Sequence, residues 1–262
     1  MRIIDLNTWP RRQHFETFNT FDYPHFGLCA EVDITHLHTA VKERRASLNL
    51  ALVYAAARAA NAIPELRCRI RRLPGEQAGS PGVQIVEHAC VHPSFTVLAD
   101  EATGGPAPAS LPGARAEERA ALPGAGPQPE DLPGANSRFG FCTVDYRPDF
   151  SAFAGQAQAA VEHIRANPSL DDEPGRDDLL YITAIPWVAF TSLLHPIHMH
   201  PVDSIPRIAW GKFRPSGKFG PNGDRLSMPL AVQAHHALLD GLHLGRFYEY
   251  MQILLDRPDE WL

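Results

Sequence analysis

The sequence contains no run of about 18 consecutive apolar residues, so it offers no segment able to cross a bilayer as a helix. Its opening, Met1-Arg-Ile-Ile-Asp-Leu-Asn, lacks the apolar stretch of a secretory signal, and a soluble cytoplasmic protein is expected. Cysteine is sparse. Cys29, Cys68, Cys90 and Cys142 form neither a CxxC pair nor a dense framework, which reads as buried or partly buried thiols in a reducing compartment. Basic excess is also missing: 24 Lys and Arg face 30 Asp and Glu, a net charge of -6, which argues against nucleic acid as a partner. There is no GxGxxG or P-loop and no internal repeat, so a nucleotide-binding doubly wound sheet is disfavoured.

What is present suits one large domain or two small ones. The chain has 262 residues, 44% of them hydrophobic and 21% charged, enough to bury a sizeable core. A short strand opens the chain, followed by a turn or helix over Trp9 to Phe18 and a strand over Gly27 to Ile34. Asp33 and Thr35 can cap a helix reaching about Arg45. The Ala- and Leu-rich stretch Leu48 to Ala62 predicts a largely buried helix that Pro64 ends. Leu66 to Arg71, Val83 to Val86 and Ser94 to Leu98 are candidate strands. From Asp100 to Arg138 the composition shifts to Ala, Pro and Gly, too poor in aliphatic bulk to offset its ordering entropy. This segment reads as a surface insertion, with a short Ala-rich helix near Ala114 to Ala121, or as a lid or crossing loop at an oligomer interface.

Beyond it, Asp149 to Ala166 carries Phe150, Phe153, Ala157, Val161 and Ile164 at helical spacing. Leu179 to Leu194 is strand-like around Ile185-Pro186-Trp187; Arg207 to Phe213 and Leu226 to His236 are two further strands, joined by a turn rich in Gly and Pro. Leu242 to Leu255 closes the chain as an amphipathic helix. Strands mixed with long helices predict a mixed α/β sandwich.

Chemistry concentrates in His235-His236-Ala-Leu-Leu-Asp240-Gly241, where an alternating apolar strand meets an amphipathic helix. A strand end is rigid, and an imidazole fixed there in one tautomer can accept a proton at neutral pH. His235 would face the opposite side of a continuing strand and reads as structural. Asp240 can either brace the site or merely cap the following helix.

Three motifs in order carry a family resemblance. They are Trp9-Pro-Arg11-Arg12-Gln-His14-Phe15-Glu16 with Phe26 and Val32-Asp33-Ile34-Thr35; Pro186-Trp187-Val188-x-Phe190-Thr191-Ser192 with Gly211-Lys212; and Met228-Pro229-Leu230 before the histidines. The chain resembles the classical trimeric chloramphenicol acetyltransferases over its whole length except Asp100 to Arg138. That resemblance implies a single acyltransferase domain spanning 1–262 with an insertion at about 100–138. It also implies a two-layer mixed-sheet sandwich with helices on one face, and a homotrimer with active sites between subunits. Acetyl-CoA would be the co-substrate and a small molecule the acceptor, with no metal, nucleic acid or membrane involved. By the same resemblance, His236 is the general base and Thr183 the oxyanion donor, standing where the family has serine. Asp240 pairs with Arg11; Phe18, Phe26, His195, Ala209 and Trp187 line the substrate site, Trp187 as either a core or a channel aromatic. His14 and Phe15 are packing residues of the pattern.

Some positions depart from the family. Phe18 replaces a tyrosine and Ala209 a threonine, and losing a substrate-bonding hydroxyl can cost specificity steeply. His195-Pro-Ile-His198-Met-His200-Pro-Val-Asp203 lies where the family has an apolar and amide-rich pocket wall. It reads as pocket lining, a solvated loop or, less readily, a metal site, since three prolines do not fix ligand geometry. The acceptor is therefore chloramphenicol or another small alcohol or amine. Two rivals remain: a dihydrolipoyl acyltransferase core, to which the Trp9 opening is foreign, and a non-catalytic trimer that binds a small ligand.

Overall fold

The computed structural model describes residues 1–72, 82–99, 138–170, 173, 175–218 and 224–262. The Asp100 insertion and its expected Ala-rich helix lie outside these residues, apart from Arg138, which opens a strand. Strands β1 (Arg2–Ile4), β4 (Val83–Glu87) and β3 (Cys68–Arg72) form a small antiparallel sheet in the order β1-β4-β3. A larger mixed sheet runs β2 (His25–Asp33), β10 (Asp224–His235), β8 (Arg207–Gly211), β7 (Leu179–Ile185), β5 (His92–Ala99), β6 (Arg138–Thr143), with β9 (Arg214–Lys218) against β10. The expected mixed α/β sandwich with helices on one face is the observed fold.

Alternation assigns the two faces of the large sheet. Val32, Leu230, Val232, Ala234, Ile208, Trp210, Leu180, Ile182, Phe95 and Val97 turn to the helices and form the main core. Against them pack α2 (Thr35–Glu43), α3 (Leu48–Ala62), α4 (Phe150–Ala166) and α5 (Gly241–Asp256). Each long helix has a local start signal: Ser47 accepts from Leu50 N–H, Asp149 from Ala152 N–H and Asp240 from Leu242 N–H. The last residue before Pro64, Ile63, is extended, which ends α3 where proline sterics predict.

A second cluster joins the small sheet to α1 (Arg12–Phe18). It contains Phe15, Cys68, Ile85, Ala237 and Leu238, with Trp9 and Phe18 packed on it. The fully buried Arg69 ties the two sheets together by donating to the carbonyls of Leu66, Cys68, Asp177 and Leu179. A guanidinium has five donors, and ringing it with carbonyls is what allows it inside.

The structure corrects several boundaries. Leu66 to Arg71 is not one strand: a 3-10 turn, Pro64–Arg67, precedes β3. The strand expected over Leu179 to Leu194 stops at Ile185, because Pro186 has no N–H for the ladder, and the chain then loops to Arg207. The strand expected over Arg207 to Phe213 ends at Gly211. Two strands escaped the sequence reading: β6, at the edge of the low-complexity segment, and β9, within the Gly- and Pro-rich turn. His14 is exposed and not a packing residue, whereas Phe15 is buried.

Candidate active site

Strand β10 pairs with β2 as far as His235 opposite His25, and the chain then leaves the sheet in a tight turn. His236 N–H donates to Pro24 O at 2.7 Å, and Leu238 N–H returns to His235 O at 3.0 Å. Ala237 and Leu238 plug into the small-sheet cluster and hold the turn from below. The turn brings Leu239 O to 3.2 Å from His236 Nδ1. A carbonyl only accepts, so Nδ1 carries a proton, and in the neutral ring the lone pair is then on Nε2, the state a general base requires. Phe18 stacks flat on this ring at 3.9 Å between centroids, and Phe26 leans on it at 4.5 Å.

Asp240 ends the turn and starts α5. Arg11 donates to its Oδ2 at 2.7 Å from the other end of the chain, while Oδ1 accepts from Leu242 N–H at 3.0 Å. The residue thus both caps the helix and pairs with Arg11. Burial alone would raise its carboxyl, but the Arg11 hydrogen bond, His243 and the Arg11 charge outweigh burial and hold it down at about 2.

Thr183 is not part of this group within one chain. It stands opposite Ala209 on β8, which stands opposite Ala231 on β10. Two strand spacings and five residues of strand length put Thr183 roughly 19 Å from His236. Thr183 and Ala209 share the sheet face turned away from the helices, and Ala209 is fully buried. Trp187 follows just beyond Thr183 and is 61% exposed, so it is not a core residue of the single chain.

The segment after Trp187 crosses that outer face. His195 N–H donates to Gln233 Oε1 at 2.9 Å, and Gln233 Nε2 donates to Tyr23 OH at 2.7 Å. His195 Nε2 is buried without a hydrogen-bond partner. Burial, then the nearby Arg207 charge, pushes the His195 imidazole down to about 4. Asp203 is bound to Arg207 and accepts from Ile205 N–H, while His198 and His200 are exposed. The structure therefore does not gather His195, His198, His200 and Asp203 as metal ligands. Among the described residues no three His, Cys, Asp or Glu side chains form such a group. His235 is buried edge-on against His25, ring centroids 5.0 Å apart, away from the base.

Sequence reasoning missed the partners that hold the turn. The Leu239 carbonyl carries no sequence signal at all. His243 does carry one: it stands three residues after the cap Asp240, at capping-box spacing, and closes that box by accepting from Asp240 N–H.

With this geometry in hand, comparison with known proteins gives consistent results. The family profile described as chloramphenicol acetyltransferase matches residues 1–104 and 134–252. A chloramphenicol acetyltransferase of Streptomyces acrimycini is 28% identical over 99% of this chain and 96% of its own length. A solved chloramphenicol acetyltransferase structure superposes with a TM-score of 0.70 at 23% identity, covering 97% of this chain and 99% of that one. The dihydrolipoamide acetyltransferase of Azotobacter vinelandii shares the fold at a TM-score of 0.56 and 17% identity, over 95% of this chain and 87% of that chain.

Proposed function

The chain belongs to the chloramphenicol acetyltransferase family, and on that premise we propose that it moves acetyl from acetyl-CoA to a hydroxyl of chloramphenicol or a similar small molecule. The observation that carries the proposal is the fixed state of His236: Nδ1–H on the Leu239 carbonyl, ring clamped by Phe18, Nε2 left as a base. His236 Nε2 takes the proton of the acceptor hydroxyl as that oxygen attacks the thioester carbonyl carbon. The Thr183 hydroxyl donates to the oxyanion of the tetrahedral intermediate. Its collapse breaks the carbon–sulfur bond, and the CoA thiolate recovers the proton from His236. No acyl-enzyme is needed, because holding both substrates in one channel supplies most of the advantage. A missing oxyanion donor typically costs about 2.7 to 4 kcal/mol.

A separation of roughly 19 Å prevents His236 and Thr183 of one copy from sharing an intermediate. We therefore assign the pair to two copies of a homotrimer, with each site formed between neighbours. Exposed Trp187, Val188 and Leu194, on the segment leaving the Thr183 strand, supply apolar surface for such an assembly. Dependence on acetyl-CoA fits a cytoplasmic enzyme, and acetylation of chloramphenicol would protect the host cell.

The test is CoA release. Purified protein and acetyl-CoA, followed with a thiol reagent, should release CoA when chloramphenicol is added. Release only with other alcohols or amines would support the same chemistry on a different acceptor, as Ala209 and the unpartnered His195 Nε2 favour. Silence across a broad panel despite ligand binding would favour a non-catalytic binding trimer. For the shared site, His236→Ala and Thr183→Ala chains should each be nearly inactive alone and regain activity when refolded together. No recovery would refute the two-copy assignment.

A further inference from the structure

The peptide group between Leu239 and Asp240 serves two imidazoles. Its carbonyl lies 3.2 Å from His236 Nδ1, and its N–H donates to His243 Nδ1, also at 3.2 Å. On the far side of His243, Nε2 lies 3.4 Å from Glu65 Oε1. Asp240 Oδ1 also lies 2.8 Å from the near nitrogen, without a hydrogen bond to it; the bond made at that nitrogen is the one from Asp240 N–H. His243 is buried, at 6% exposure, so its nitrogens have little recourse to solvent.

We propose that Glu65 and His243 are positioning residues for the base: through one peptide group they fix the tautomer and ring orientation of His236. The proposal rests on the reading of His236 as general base and adds the device that sets it. The two hydrogen bonds of the peptide and the Glu65 contact act in one direction. The Glu65 carboxylate, 3.4 Å from Nε2, favours the proton on that nitrogen, which in the neutral ring leaves the lone pair on Nδ1. That lone pair accepts the Asp240 N–H, which turns the peptide so that the Leu239 carbonyl faces His236. Because the peptide is planar, orienting its N–H orients its C=O as well. The carbonyl then draws Nδ1–H and leaves Nε2 free, and aligned hydrogen bonds polarise one another in the same sense. Arg11 on Asp240 Oδ2 holds the neighbouring side chain but does not touch this peptide in the same way.

A simple helix cap would have a different signature, and the two separate experimentally. His243→Ala, Glu65→Ala and His243→Gln are compared with the intact protein. The glutamine oxygen at the third helical position can accept the Asp240 N–H in place of the imidazole. The first two variants should lower kcat by about tenfold or more, as the wrong tautomer does in other bases. KM for acetyl-CoA and acceptor should stay within about twofold, and His243→Gln should recover most of the rate. Imidazole nitrogen-15 shifts of His236, recorded without substrate, should change from a single Nδ1–H tautomer to a mixture in the alanine variants. A folded His243→Ala protein with unchanged kcat and an unchanged His236 tautomer would overturn the proposal. If that variant fails to fold, Glu65→Ala decides by the same two readouts. The tautomer measurement needs no turnover, so it judges this device even if the proposed acetyl transfer fails.

Discussion

Phe18 lies flat on His236, with planes 6° from parallel and centroids 3.9 Å apart, and the two residues come from opposite ends of the chain. The hydrogen bond from Nδ1 fixes one nitrogen of the base; the stacked ring fixes its plane. An aromatic pair of this kind is worth about 0.5–1.5 kcal/mol beyond its buried area. Phe18→Ala should lower kcat/KM for acetyl transfer by about tenfold while the far-ultraviolet circular dichroism stays native. A rate equal to that of the unsubstituted enzyme would mean that the ring needs no second restraint.

The imidazoles of His25, His195 and His235 should make the fold sensitive to mild acid. Burial, followed by the Arg207 charge, lowers His25 and brings His195 to about 4; burial, followed by His25, brings His235 to about 3. His195 and His235 stay neutral in the folded protein down to mild acid, whereas the unfolded chain takes up protons below about pH 6.5. Stability is therefore complete above about pH 7 and falls as pH drops toward the folded values. Between pH 7.5 and 5.5 the loss is about 1 kcal/mol for each of His195 and His235. Urea midpoints across that range should fall, and a His235→Gln variant should fall less. A flat profile in the parent protein would contradict this account.

Asp240 contributes in a lower window and with the same sign: stability again falls as pH falls. Its carboxyl is depressed to about 2, so its contribution is present above the ordinary carboxylate value and is lost as pH falls through the folded one. Asp240→Asn keeps a capping oxygen but leaves Arg11, 14% exposed at its side chain, without its anion. The variant should be about 1–2 kcal/mol less stable at pH 7. The difference should shrink toward zero near pH 2–3, where the parent carboxyl also gains its proton. An equal deficit at both pH values would place the cost elsewhere than in the ion pair.

Gly211 closes β8 where the segment after Thr183 passes over it. A Cβ there would meet Val188 O at 2.5 Å, Pro229 Cγ at 2.8 Å and Phe190 Cδ1 at 2.9 Å. The nearest obstacle is backbone, and Val188 O also accepts from Lys212 N–H, so it has no easy retreat. Gly211→Ala should cost about 1–3 kcal/mol, read as a lower thermal midpoint. An unchanged midpoint would show that the Val188 turn yields freely.

Local chemistry made much of the fold legible. Asp149 and Asp240 mark the starts of two helices and Pro64 the end of a third, because caps and proline act within a few residues, whereas the sequence reads as strand through the stop at Pro186 to Leu194. Strand β6 was illegible because it abuts a low-complexity segment and takes its partner, β5, from across that segment. Strand β9 reads as a turn because Arg214-Pro-Ser-Gly-Lys218 has no apolar alternation; its pairing with β10 comes from the ladder itself.

The candidate site divides along the same line. From the sequence alone came the residue types: an imidazole at a strand end, an aspartate and glycine starting a helix, an arginine and two phenylalanines near the N-terminus. The imidazole, aspartate and glycine follow from periodicity and local spacing, which act along the chain; the arginine and the phenylalanines come from the resemblance to the family. The Arg11–Asp240 pair is expected from the resemblance and is present; only the tertiary structure decided that Phe18 covers His236 and that Thr183 stands roughly 19 Å away on the other side of β8. It also decided that one peptide group, with no sequence signature, ties His236 to His243. Such contacts join residues up to 229 positions apart, and they are fixed by sheet register and by packing of the turn on a separate small cluster.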